Sequence, residues 1–216
     1  SGLPTLPTDL GNCAQPVETA SSTPTWSAAL MAGCSAPVTA LAQTLGGSAV
    51  ETLFQNAGFY ALPDIRLPVE SATPSSTGDS DAAALNARLL PLNLAVAAAS
   101  ISNLGERPQP LLVLDMRLPG ADWQSLIQYR QPQTVFAAEA ARDTMRLLAD
   151  PLQLTWHTLA ITPQADESQK PVTWFVGGSN LGWQGSPLAL ALVIEGNQPD
   201  LALQIGAQVL QAAMQP

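Results

Sequence analysis

The chain has 216 residues, 8 basic against 17 acidic side chains, one histidine and a formal net charge of −9. That length suits one large domain or two small ones with a real core, and 46% hydrophobic against 12% charged residues sets it far from the composition of a disordered chain. A pI near 4.3 argues against sequence-independent nucleic-acid binding and against adhesion to an anionic membrane through a basic patch, because phosphate repels such a surface.

Residues 1–26 read as an extended N-terminal segment, rich in Pro, Thr, Ser and Gly, and they carry Cys13. Residues 27–216 read as one domain, helical over 27–150 and then built of antiparallel strands and a closing helix over 151–216. A helix is predicted from about Ser27 to Leu45, with Leu30, Met31, Val38, Leu41 and Ala42 as its apolar positions. Gly33 and Pro37 interrupt it, which leaves room for two short helices around a Gly33-Cys34-Ser35 turn. Gly46-Gly47 ends this part, and Ser48 is the expected N-cap of a helix from Ala49 to Ala57 that Gly58 closes.

Residues 61–83 form a long stretch rich in Pro, Ser and Thr, of a length that is usually functional or mobile. An alanine-rich helix follows from Pro91 to Leu104, with Asn103-Leu104-Gly105 at its end. Pro108 to Arg117 reads as a strand or extended segment. Thr134 to Ala149 is the clearest amphipathic helix, with Val135, Ala138, Ala141, Met145 and Leu148 at steps of three and four.

Leu152 to Thr162 alternates as a half-buried strand does, Pro163 to Lys170 is a polar turn, and Val172 to Gly177 is a second strand ended by Gly177-Gly178-Ser179-Asn180. Pro187 to Glu195 is a third strand, and its continuous apolar run predicts burial on both faces. Asp200 to Met214 is the closing helix. Short connections favour antiparallel pairing, so the predicted fold class is α/β (α+β), an antiparallel sheet flanked by helices.

The residue counts exclude much chemistry. His157 is the only histidine, Lys170 the only lysine, and Cys13 and Cys34 the only cysteines. No zinc-type spacing, GxxxxGK(S/T) loop or GxGxxG motif can be drawn, so no metal and no cofactor is expected. Ser1-Gly2-Leu3-Pro4 has neither a charged n-region nor an apolar h-region, and runs such as Leu94–Ala99 and Leu188–Ile194 are far shorter than the roughly 18 apolar residues of a spanning helix. No membrane segment is expected within the chain. Two cysteines and a single lysine fit an extracytoplasmic protein, in the periplasm or on the outer face of the cell membrane, with any anchor lying outside this sequence.

Several segments carry a resemblance. Trp26-Ser27-Ala28-Ala29-Leu30 through Cys34-Ser35, with Ala40-Leu41-Ala42 and Leu45-Gly46, is similar to a helix pair that holds a Ser-x-Asn motif. Leu90-Pro91-Leu92-Asn93-Leu94-Ala95, then Ser102-Asn103-Leu104-Gly105 and Pro110, is similar to a TPLQMA…aNgG…P stretch. Val135-Phe136 with Ala140-Ala141 and Met145, Trp174-Phe175-Val176-Gly177, and Leu188 to Glu195 follow in the same order. Over about residues 25–214 the chain resembles the C-terminal two thirds of the transpeptidase domain of class B penicillin-binding proteins, serine acyl-enzymes that cross-link peptidoglycan and bind β-lactams.

The resemblance implies three motifs, and the chain departs from each. The nucleophile of SxxK has no counterpart, since Glu167 lies three residues before the lone Lys170. SxN falls on Gly33-Cys34-Ser35, which lacks both the hydroxyl and the amide. K(S/T)G falls near Trp156-His157-Thr158, which lacks the lysine and the glycine, and the resemblance then implies a groove blocked by Trp156 where a peptide backbone pairs. The expected function is that of a degenerate, non-catalytic transpeptidase-like domain of the cell envelope, acting in scaffolding, regulation or peptidoglycan-related interaction. Its expected partners are a cell-envelope protein or a peptidoglycan stem peptide. The alternative is the rear portion of an authentic D,D-transpeptidase whose SxxK serine lies upstream; a small-molecule binder using the old groove is a third reading.

The family topology brings the Cys13 segment near the Ser-x-Asn turn, which implies a Cys13–Cys34 disulfide; a buried thiol or a Cys34 nucleophile are the other readings. His157 is either a structural ring or a general base. Trp26, Trp123, Trp156, Trp174 and Trp183 are either packing residues or a carbohydrate platform.

Overall fold

The computed structural model describes residues 3–17, 23–60, 90–111, 115–125, 133–150, 153–162 and 170–215. The centre is an antiparallel sheet of β5 (Thr155–Thr162), β6 (Val172–Ser179) and β7 (Ala189–Glu195), in that order. Helices cover both faces. Side chains of a strand alternate between faces, and that parity sorts the core. Trp156 on β5, Val176 on β6 and Ala189 on β7 pack with Ala98, Met145 and Leu148 from the helical part. Leu159, Phe175, Leu190, Leu192 and Ile194 face the other way, onto Ala202 and Leu210.

The second face is closed by α6 (Pro199–Ala213). Gly206 lets this helix lie directly on the Phe175 ring, where a Cβ would have to displace ring carbons. The helix entry is tied to β6, since Thr173 Oγ1 donates to Gly196 O at 2.7 Å and accepts from Gln198 N at 2.9 Å. The first face is covered by α1 (Trp26–Met31), α4 (Pro91–Ser102) and α5 (Ala138–Leu147), with α2 (Ser35–Leu45) and α3 (Gly47–Ala57) outside them.

The predicted helix over Ser27–Leu45 is two helices, separated by the Gly33-Cys34 turn. Other predictions change too. Gly46, not Ser48, caps α3; with φ 81° it is the joint between α2 and α3, and Ser48 is already helical. The amphipathic helix begins at Ala138, because Gln133–Thr134 (β4) is extended and pairs with Glu106–Arg107 (β1). The second long strand runs through Gly177 and Gly178 to Ser179 instead of stopping at them. β7 is not buried on both faces: every residue keeps some exposure, since β6 is its only partner among the described residues.

The extended segment expected over Pro108–Arg117 ends in β2 (Asp115–Met116), which pairs with β3 (Gln124–Ser125). The low-order stretch 61–83 and most of the polar turn, residues 163–169, lie outside the described residues. The described part of the N-terminal segment, residues 3–17, forms no helix or strand and does not stand apart: Leu6, Leu10, Cys13 and Val17 pack on Ala29, Ala32 and Cys34. No helix of the described residues is long and apolar enough to cross a membrane.

Candidate functional site

The two candidate motifs meet. α1 is started by Thr25, whose Oγ1 accepts from Ala28 N at 3.2 Å, and it ends where Gly33 N returns to Leu30 O at 3.1 Å. Gly33 then takes φ 68°, a left-handed conformation that glycine adopts without penalty. A side chain there would run into the carbonyl of Leu159 on β5. Thr158 Oγ1 donates to Leu30 O at 2.6 Å, so the α1–α2 turn is fastened onto the same strand. The structure therefore lays the α1–α2 turn, through Leu30 and Gly33, against Thr158 and Leu159 of β5.

That site is shut. The edge of β5 away from β6 is the one an extended peptide would use to add a strand. Its first positions are taken by the chain itself: Asp150 N donates to Thr155 O at 3.0 Å and His157 N donates to Leu148 O at 3.1 Å. Farther along, Leu30 and Gly33 sit against Thr158 and Leu159. Asn180 holds the beginning of the strand, donating to Gln153 O at 3.2 Å and Thr155 O at 3.3 Å.

Trp156 does not block the edge, as the sequence reading had it. Its side chain points across the sheet into the core, 1% exposed, and its Nε1 donates to Ser102 Oγ at 2.9 Å. The edge is closed by backbone instead. His157 points to the opposite face and stacks on Phe175 at 5.6 Å between ring centroids, with the planes 13° apart. Burial lowers its pKa below the ordinary value, with Asp150 opposing through its charge. Ser179 Oγ accepts from Leu188 N at 3.0 Å within the sheet.

Lys170 lies at the far end of the sheet, 72% exposed and paired with Glu195 at 3.3 Å. Among the described residues no group of three or more His, Cys, Asp or Glu is placed to hold a metal. Cys13 and Cys34 are joined as a disulfide, which removes the thiol-nucleophile reading of Cys34. The tryptophans form no platform: Trp26 bonds Pro4 O, Trp174 bonds Thr162, Trp183 bonds Ser186 O, and Trp123 stands 67% exposed on the β2–β3 hairpin. Sequence reasoning missed the groups that close the strand, Leu30, Leu148 and Asp150. They act through backbone atoms, which leave no residue signature.

No family model and no curated protein matches the chain. Solved structures do. Penicillin-binding protein A of M. tuberculosis, as an imipenem acyl-enzyme, superposes with a TM-score of 0.72 at 22% identity, over 88% of this chain and 47% of that one. Penicillin-binding protein 3 of the same organism, complexed with aztreonam, gives 0.66 at 14% identity over 84% and 50%. A peptidoglycan glycosyltransferase from Burkholderia ambifaria gives 0.61 at 16% identity over 87% and 63%. The chain spans about half the length of the first of these, and at such identities it is the fold that is shared. The antiparallel sheet between helices is thus the transpeptidase-like fold of the penicillin-binding proteins.

Proposed function

We propose that this domain is a non-catalytic, penicillin-binding-protein-like module of the cell envelope, working by interaction and not by acyl transfer. One observation carries the reading. At the positions where the resemblance places SxN and K(S/T)G, the chain has a hydroxyl-free Gly33, a disulfide-bonded Cys34 and a core-buried Trp156, on a strand edge whose first positions are taken by its own backbone. Acyl transfer to a serine needs a base within hydrogen-bond reach of the hydroxyl. The lone lysine is committed to Glu195 at the other end of the sheet. The fold's solved counterparts support a peptidoglycan-related setting on the extracytoplasmic side, with a stem peptide or an envelope protein as the partner class.

The test is covalent labelling of the full-length natural protein with a fluorescent penicillin, read on a denaturing gel beside an active transpeptidase. No labelled band is expected. A stoichiometric adduct lost on substituting one serine would overturn the proposal and establish the alternative, an authentic transpeptidase of which this is the rear part.

A further inference from the structure

The N-terminal segment crosses the α1–α2 turn as a strap. Ser35 N and Ala36 N, the first amides of α2, donate to Asn12 O at 2.9 Å and Leu10 O at 3.2 Å. Asn12 N donates to Ser35 Oγ at 3.1 Å, and Gln15 N to Ala32 O at 3.1 Å. Ala14 lies against Gly33. Past the turn, Gln15 Nε2 donates to Asp200 Oδ1 at 2.8 Å, so the strap spans from the helical layer to the closing helix. Its hydrogen bonds are mostly solvent-exposed and its apolar side chains only half-buried, with Leu3 at 51% exposure. The one covalent hold is Cys13–Cys34.

We propose that this disulfide is a redox latch: thiol reduction releases the strap of residues 3–17 and uncovers the α1–α2 turn, while the sheet stays folded. The two sulfurs are unequal. Cys34 is buried at 1% exposure, whereas Cys13 is partly exposed and is the more open of the two to an external thiolate. Cys34 is also the N-cap residue of the 11-residue helix α2, where the helix dipole favours a leaving thiolate.

A dithiol reductant attacks Cys13 Sγ. The protein S–S bond breaks as the mixed disulfide forms, and its electron pair leaves on Cys34 Sγ, which takes a proton. The reductant's second thiolate then displaces Cys13, which leaves as a thiol. Two electrons and two protons pass to the protein, and the reductant closes its own disulfide. Opening the bond returns to the chain the loop freedom that the 13–34 closure had removed. The bonds left to the strap are of the exposed kind that open locally.

Hydrogen exchange of the whole protein, followed residue by residue before and after treatment with millimolar dithiothreitol under native conditions, tests this. Amides of Gln15, Ser35 and Ala36 should exchange at least tenfold faster after reduction, with those of β6 and α4 unchanged. A C13S/C34S double variant should match the reduced protein. Two titratable thiols with Gln15, Ser35 and Ala36 still protected would overturn the latch, because the strap would then hold without its bond. A sheet-wide acceleration would overturn it too, making the disulfide a brace for the entire core. So would resistance of the disulfide to the reductant.

Discussion

Trp156 and His157 are neighbours in sequence with opposite environments, because consecutive strand residues point to opposite faces. The indole of Trp156 fills the layer between β5 and Ala98, Met145 and Leu148. Trp156→Ala should therefore cost about 3–5 kcal/mol, the range for emptying a buried aromatic site, read from urea denaturation midpoints. Ser102→Ala leaves the Trp156 N–H without its acceptor and should cost roughly 1–3 kcal/mol. His157 supplies a pH dependence of known sign. Its folded-state pKa lies below its unfolded value because burial disfavours the imidazolium. As pH falls, the unfolded chain takes up the proton first, so stability is full above about pH 6.5 and declines below it, levelling off once the folded state protonates as well. Denaturation between pH 8 and 5.5 should show this slope in the wild type. His157→Phe, which keeps a ring against Phe175, should flatten it; an identical slope in both proteins would show that His157 is not its source.

Gly33 decides how the turn between α1 and α2 meets β5. It combines a positive φ with contact to a backbone carbonyl, so Gly33→Ala strains the chain and pushes the turn off the strand. A loss of on the order of 1–3 kcal/mol is expected in chemical denaturation. A second expectation at this scale concerns β7, whose edge away from β6 pairs with no described strand. Amides of Ala191 and Val193 should exchange faster than that of Phe175 in the middle of the sheet. Much of this organisation was legible in the sequence. Gly33 and Pro37 marked the break between helices, alternation from Leu154 to Ala160 marked β5, and the order of motifs pointed to the fold. Boundaries failed where a local signal met a tertiary one: Gly177 and Gly178 read as a stop, yet they continue β6 because the close approach of Trp156 O and Leu188 O leaves no room for side chains. The sealing of β5 was not legible at all, because the carbonyls and amides of Leu30, Leu148 and Asp150 carry it.

At the scale of the whole molecule, the helical layer and the sheet converge on one strand edge, and that convergence decides what the domain can bind. A stem peptide ending in D-Ala-D-Ala would need free backbone groups on β5 and a cation for its carboxylate. Thr155 O and His157 N are already bonded, and Leu159 is covered by Gly33. Lys170 is engaged with Glu195 at the far end of the sheet, and the chain as a whole carries a charge of −9, which disfavours an anionic ligand. A peptide that pairs here must first displace intramolecular hydrogen bonds and then bury a carboxylate away from the chain's one lysine, a cost that a few new backbone contacts do not offset. Affinity no better than about millimolar is expected, equivalent to roughly −4 kcal/mol of binding free energy. NMR titration of the oxidised protein with such a peptide measures it directly. The expected result is weak, unsaturated shifts; saturation at micromolar peptide, centred on residues 154–160, would mean that the edge opens far more readily than its hydrogen bonds allow.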